Sequence, residues 1–106
     1  MAKLTEKEKE QILNRILEKI SGIIDRIAEK PEIETVKIDY AGTFWGYYLR
    51  GYDKRGSEKF VERIEIDEQL WENKEEVEET VCDAIREGLE EEGFVWDSEK
   101  ECFVKV

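Results

Sequence analysis

The chain predicts an α+β fold, with two helices packed on one antiparallel sheet of four or five strands, in a single domain over residues 1–106. Three observations carry that prediction. Apolar residues recur at spacings of three and four in two separate stretches, which is helix periodicity. Between and after those stretches they alternate or cluster with aromatics, which is strand patterning. No linker, repeat or low-complexity segment divides the chain, so the order α-β-β-β-α-β-β belongs to one layered unit.

The first helix runs from about Glu6 to Ala28. Thr5-Glu6-Lys7-Glu8 fits a capping box, in which Thr5 accepts from the Glu8 amide and Glu8 reaches back. Ile12, Leu13, Ile16, Leu17, Ile20, Ile23, Ile24 and Ile27 then form one apolar face, and Pro31 ends the helix by disfavouring helical backbone in the residue before it. This stripe is wider than a helix lying on a sheet requires. Leu13, Ile16, Ile20, Ile23 and Ile27 alone make a seam that can pack on another helix, so the face fits either a sheet-covering helix or one that also supplies a dimer surface.

Three strands follow. Val36, Ile38 and Tyr40 alternate; Ala41-Gly42 breaks the strand; Thr43 to Tyr52 makes a second; Asp53-Lys54-Arg55-Gly56 is a turn; and Lys59 to Ile66 makes a third, with Phe60, Ile64 and Ile66 on one face. The second helix starts at an Asn73 cap with Glu76 three residues on. It carries the stripe Val77, Val81, Ala84, Ile85 and Leu89, and stops at Gly93. A hairpin ends the chain, with Phe94-Val95-Trp96 and Cys102 to Val106 joined around Asp97-Ser98-Glu99-Lys100.

Charge divides this chain unevenly. Residues 1–64 hold 13 Lys+Arg against 12 Asp+Glu, whereas residues 65–106 hold 4 against 16. The net charge of −11 therefore lies almost wholly in the last stretch, most of it between Glu72 and Glu92. With 40% hydrophobic residues and eleven aromatics, the chain is too apolar for a disordered acidic tail. The Lys/Glu-rich balance, with one Pro and no His, matches proteins from hot environments. The N-terminus lacks the apolar run of a secretory signal and no stretch is long enough to span a membrane, which predicts a soluble cytoplasmic protein. Cys82 and Cys102 form no CxxC pair and read as small buried hydrophobes or as a disulfide; two Cys without His are too few for structural zinc.

The second helix breaks local rules. Glu72–Glu76, Glu75–Glu79, Asp83–Glu87 and Glu87–Glu91 are like charges four apart, each costing about 0.2–0.5 kcal/mol. Glu90, Glu91 and Glu92 sit where the helix dipole favours cations. The bland reading is a solvated face, paired with Lys and Arg from the first half. The functional readings make Glu76, Glu79, Asp83, Glu87, Glu90 and Glu91 a docking surface for a basic protein, a mimic of nucleic-acid phosphates, or a divalent-cation site, although no EF-hand loop is present.

Six aromatics crowd Tyr40 to Tyr52. On a regular second strand, Phe44, Tyr48 and Arg50 share one face and Trp45, Tyr47 and Leu49 the other, unless a bulge at Gly46 shifts the phase. One helix layer covers one face, so the second must be covered by the terminal hairpin, another subunit or a ligand. Tyr and Trp anchor protein contacts, which makes Trp45, Tyr47, Tyr48 and Arg50 the candidate partner-binding aromatics.

Catalysis is disfavoured. There is no His to act as general base, no GxSxG, HExxH, GxGxxG or P-loop motif, and no catalytic or metal-ligating set; no cofactor is implied. The α-β-β-β-α portion resembles double-stranded-RNA-binding domains in element order, but those use basic surfaces, so direct nucleic-acid binding is not expected. In element order, size and acidity the chain resembles secretion chaperones, small acidic dimers that bind extended client segments. The leading expectation is a non-catalytic, adaptor- or chaperone-like interaction module, homodimeric, with a basic protein partner and no membrane; the runner-up is an acidic nucleic-acid mimic.

Overall fold

The computed structural model describes residues 3–106. Helix α1 spans Glu6–Ala28 and α2 spans Lys74–Glu91, with strands β1 (Thr35–Tyr40), β2 (Gly46–Tyr52), β3 (Glu58–Glu65), β4 (Phe94–Asp97) and β5 (Cys102–Lys105). The five strands form one antiparallel sheet in the order β3-β2-β1-β5-β4. The predicted α+β architecture and element order are both present. The meander β1-β2-β3 is continuous, and the terminal hairpin extends it by laying β5 beside β1, with Thr35 opposite Val104 and Val36 opposite Phe103. No helix among the described residues is long and apolar enough to cross a membrane.

The capping box closes α1 as its sequence requires. Glu8 N–H donates to Thr5 Oγ1 at 3.1 Å and Thr5 N–H donates to Glu8 Oε1 at 3.0 Å. The Thr5 backbone N–H first, then the Thr5 side chain, hold the Glu8 carboxyl below its ordinary value. The wide apolar stripe is consumed within the chain. Ile16, Ile20, Ile23, Ile24 and Ile27 are buried, Ile12, Leu13 and Leu17 pack against the core, and α1 leans on both β3 and α2. No large apolar side chain of α1 is left exposed to build a dimer seam.

The start of α2 differs from expectation. A 3₁₀ helix, Glu68–Asn73, runs directly into α2, and its own cap is Asp67, whose side chain accepts from Gln69 N–H. Asn73 makes no cap hydrogen bond; its Oδ1 accepts from Lys9 Nζ at 3.0 Å. That contact joins the N-terminal ends of the two helices. Near their C-terminal ends Gly88 faces Ile24, so close that a Cβ on Gly88 would stand 2.4 Å from Ile24 Cδ1. Equal offsets along both helices mean that α1 and α2 run parallel. Gly93 follows α2 at φ 89°, the left-handed stop predicted for it.

Strand β2 opens on Gly46 at φ 152°, and the register irregularity lies between Gly51 and Tyr52, not at Gly46. The Asp53 turn forms as read. Asp53 Oδ1 accepts from the N–H groups of Arg55 and Ser57, both at 2.9 Å, and Gly56 takes φ 83°. These bonds, that from Ser57 foremost, depress the Asp53 carboxyl. Cys82 and Cys102 are both free; Cys102 is buried and Cys82 half-buried.

Candidate protein-interaction surfaces

Paired residues in the sheet point the same way, so the register sorts every strand side chain onto one of two faces. One face carries Val36, Ile38, Leu49, Phe60, Ile64 and Phe103, and both helices pack on it. The other carries Lys37, Asp39, Tyr48, Arg50, Val61, Arg63, Val95 and Val104. The terminal hairpin lengthens the sheet instead of folding across it, so among the described residues no helix or second sheet covers this face. Val61 and Val95 stand about half exposed there, at 48% and 49%.

The four candidate aromatic-surface residues are therefore split. Tyr48 and Arg50 lie on the open face as a partner contact requires. Trp45 and Tyr47 lie in the core, with 6% and 8% of their surface exposed. The reason is the alternation itself: β2 keeps regular phase from Trp45 to Leu49, and the helix-covered side claims Trp45, Tyr47 and Leu49 together. Trp45 packs edge-on against Trp71, its indole Nε1 donating to Glu78 of α2 at 2.8 Å. Tyr47 packs edge-on against Tyr40 and lies beside Cys82 and Glu78.

Burial first, then the Cys82 contact, pushes the Tyr47 phenol well above its ordinary value, so folding favours the neutral form. That contribution is complete below the unfolded value, about pH 10, and is lost as pH rises further. Tyr47→Phe should retain stability above about pH 10 that the wild-type chain loses, in urea titrations across that range. Equal alkaline loss in both chains would show that another group triggers it.

On the open face the aromatics and cations interleave. Phe44 and Tyr48 meet edge-to-face at 5.4 Å, with the Arg63 guanidinium 5.1 Å above Phe44 and that of Arg50 5.0 Å above Tyr48. Arg50 also bridges Asp39 at 3.2 Å and Glu58 at 2.8 Å. Arg63 in turn pairs with Glu65 at 3.6 Å, so both guanidinium groups of this face are answered by acids within the chain, although the protein carries −11.

The acidic candidates sit on the other side of the molecule. Glu76, Glu79, Glu87, Glu90 and Glu91 are exposed and Asp83 is half-buried, all on α2, which packs on the covered face. Among the described residues Arg86 alone pairs with them, reaching Asp83 at 2.6 Å and Glu90 at 4.0 Å. Among the described residues no Lys or Arg from the first half of the chain forms an ion pair with α2. Those that form ion pairs reach Glu6, Asp39, Asp53, Glu58, Glu62 and Glu65 instead. The acidic helix and the open aromatic face thus look in opposite directions. No group of three or more Cys, Asp or Glu among the described residues is placed to hold a metal ion.

Three large aromatic side chains that the pattern did not single out stand exposed: Tyr40 at 58%, Trp71 at 52% and Trp96 at 53%. Trp71 had one readable signal, a tryptophan in the connection between the third strand and the second helix. Tyr40 and Trp96 had none, because each occupies a core-facing register position at a point that the helices do not reach. Compared with protein-family models, curated proteins and solved structures, the chain matches none.

Proposed function

We propose that this chain is a non-catalytic protein-interaction module, adaptor- or chaperone-like, that holds a protein partner on its open sheet face. The observation that carries the reading is a five-stranded sheet with helices on one side only, whose bare side presents Tyr48, Arg50, Phe44 and Val61. Rigid rings braced by guanidinium groups give contact area at little entropic cost, and internal ion pairing removes the expense of desolvating lone charges. The acidic helix faces away from that contact. It acts at a distance, drawing in a basic partner and raising the association rate more than the affinity. A second copy of the chain is one partner the open face suits, because it is the least repulsive surface of an acidic molecule.

The second reading, a nucleic-acid mimic, draws on the acids of α2 that no first-half cation neutralises. A salt-stepped pull-down with two variants separates the two. The pair Tyr48→Ala and Val61→Glu should abolish partner retention, a loss of about 2 kcal/mol or more. Neutralising Glu79, Glu87 and Glu91 to Gln should slow association and leave most of the affinity. The reverse order, with partner released at low salt, would favour mimicry. A sedimentation mass of one chain at micromolar concentration would remove the homodimer.

A further inference from the structure

We propose that Trp71, at the N-terminal end of α2, and Tyr40, at the end of β1, form a second docking surface, and that it takes a basic amphipathic segment of another protein. This surface lies on the helix side of the sheet, so it stands independently of the open-face reading. Both rings are more than half exposed, yet each rests edge-on upon a buried aromatic, Trp71 on Trp45 at 5.0 Å and Tyr40 on Tyr47 at 5.5 Å. Trp45, just before β2, and Tyr47 within it are two residues apart on the helix-covered side, and both lie against Glu78 of α2. The exposed rings are thus held by the core at neighbouring points and pre-organised as anchors, with more than half of each left open to solvent.

Charge decides what covers them. The surface hollow at the start of α2 is lined by Glu72, Glu75, Glu76 and Glu79 with one cation, Lys74, which joins it to Trp71. Lys74 Nζ already stands 4.7 Å from the centre of the Trp71 ring, which shows that this ring accepts an ammonium group. Four carboxylates against one ammonium repel nucleic acid and anionic lipid. They also repel a second copy, which would bring the same four. A segment that alternates Lys or Arg with aliphatic residues satisfies both the rings and the acids.

The test uses the full chain with a labelled, acetylated and amidated octapeptide of alternating lysine and leucine, read by fluorescence anisotropy and by the indole N–H signals of the three tryptophans. The expected result is saturable binding that shifts the Trp71 indole and leaves that of Trp96, on the distant edge strand, in place. Trp71→Ala with Tyr40→Ala should weaken binding about tenfold. Trp96→Ala should change nothing. Tyr40→Lys, at an exposed strand end, keeps the test valid if removing Trp71 disturbs the fold, and should weaken binding to a similar degree. The proposal is overturned by absence of binding, by octalysine binding as tightly as the mixed peptide, or by equal shifts at Trp71 and Trp96. It is equally overturned if the chain sediments as a dimer that Trp71→Ala dissociates, since the occupant is then a second copy.

Discussion

Gly46→Ala should cost about 3 kcal/mol or more of stability, a large share of what a domain of this size possesses. Gly46 holds φ 152°, a region open to glycine and strained for any other residue. Space is closed as well. A Cβ there would stand 2.0 Å from the Ile64 carbonyl oxygen and 3.0 Å from its carbon. The obstacle is backbone of the neighbouring strand, so no rotamer change relieves it. Shifting it disturbs Ala41 N–H, which donates to Gly46 O at 2.9 Å, and Ile66 N–H, which donates to Trp45 O at 2.8 Å. Thermal unfolding should show a midpoint lower by about 15 °C, from roughly 4–8 °C per kcal/mol. A shift of a few degrees would mean that β2 can open by another route.

Phe94→Ala should cost about 3–5 kcal/mol, the range for a buried phenylalanine whose site cannot collapse. Phe94 is 1% exposed and is the first residue of β4 after the α2 stop, so it ties the terminal hairpin to the helix layer. Phe103 of β5 is the hairpin's other large buried anchor, and β5 meets β1 at two register positions. Denaturant titration gives the global loss. Native-state hydrogen exchange should show β4 and β5 amides losing protection before those of β1 to β3, because the hairpin opens as its own unit. Uniform loss across the sheet would make the hairpin part of one cooperative core.

Much of the architecture is legible in local signals that act over a few residues. Thr5 with Glu8, and Pro31, mark the ends of α1; Gly93 marks the stop of α2; Asp53 with Gly56 marks the turn between β2 and β3. Each works through hydrogen bonds or backbone sterics confined to its own segment. Asn73 shows the limit of such signals. It has a capping residue's chemistry, but the preceding 3₁₀ helix and the reach of Lys9 gave its carboxamide a tertiary partner instead.

The candidate site was legible by half. Alternation along β2 correctly separated Tyr48 and Arg50 from Trp45 and Tyr47, but composition alone does not say which set meets the helices, since both are aromatic. Burial is settled by the whole assembly. The hairpin extends the sheet beside β1 instead of closing over it, and the parallel helices cover one side while stopping short of Tyr40 and Trp96. By itself the sequence determined the two helices and five strands, their order and the charge asymmetry, because periodicity, caps and turn chemistry are local; it missed the 3₁₀ helix Glu68–Asn73 and began β2 at Thr43, three residues before its observed start at Gly46. Only the tertiary structure decided which aromatics are core and which are surface, and that the acidic helix and the open face lie on opposite sides. Those outcomes depend on strand order and layer contacts between residues far apart in the chain, which no local pattern encodes.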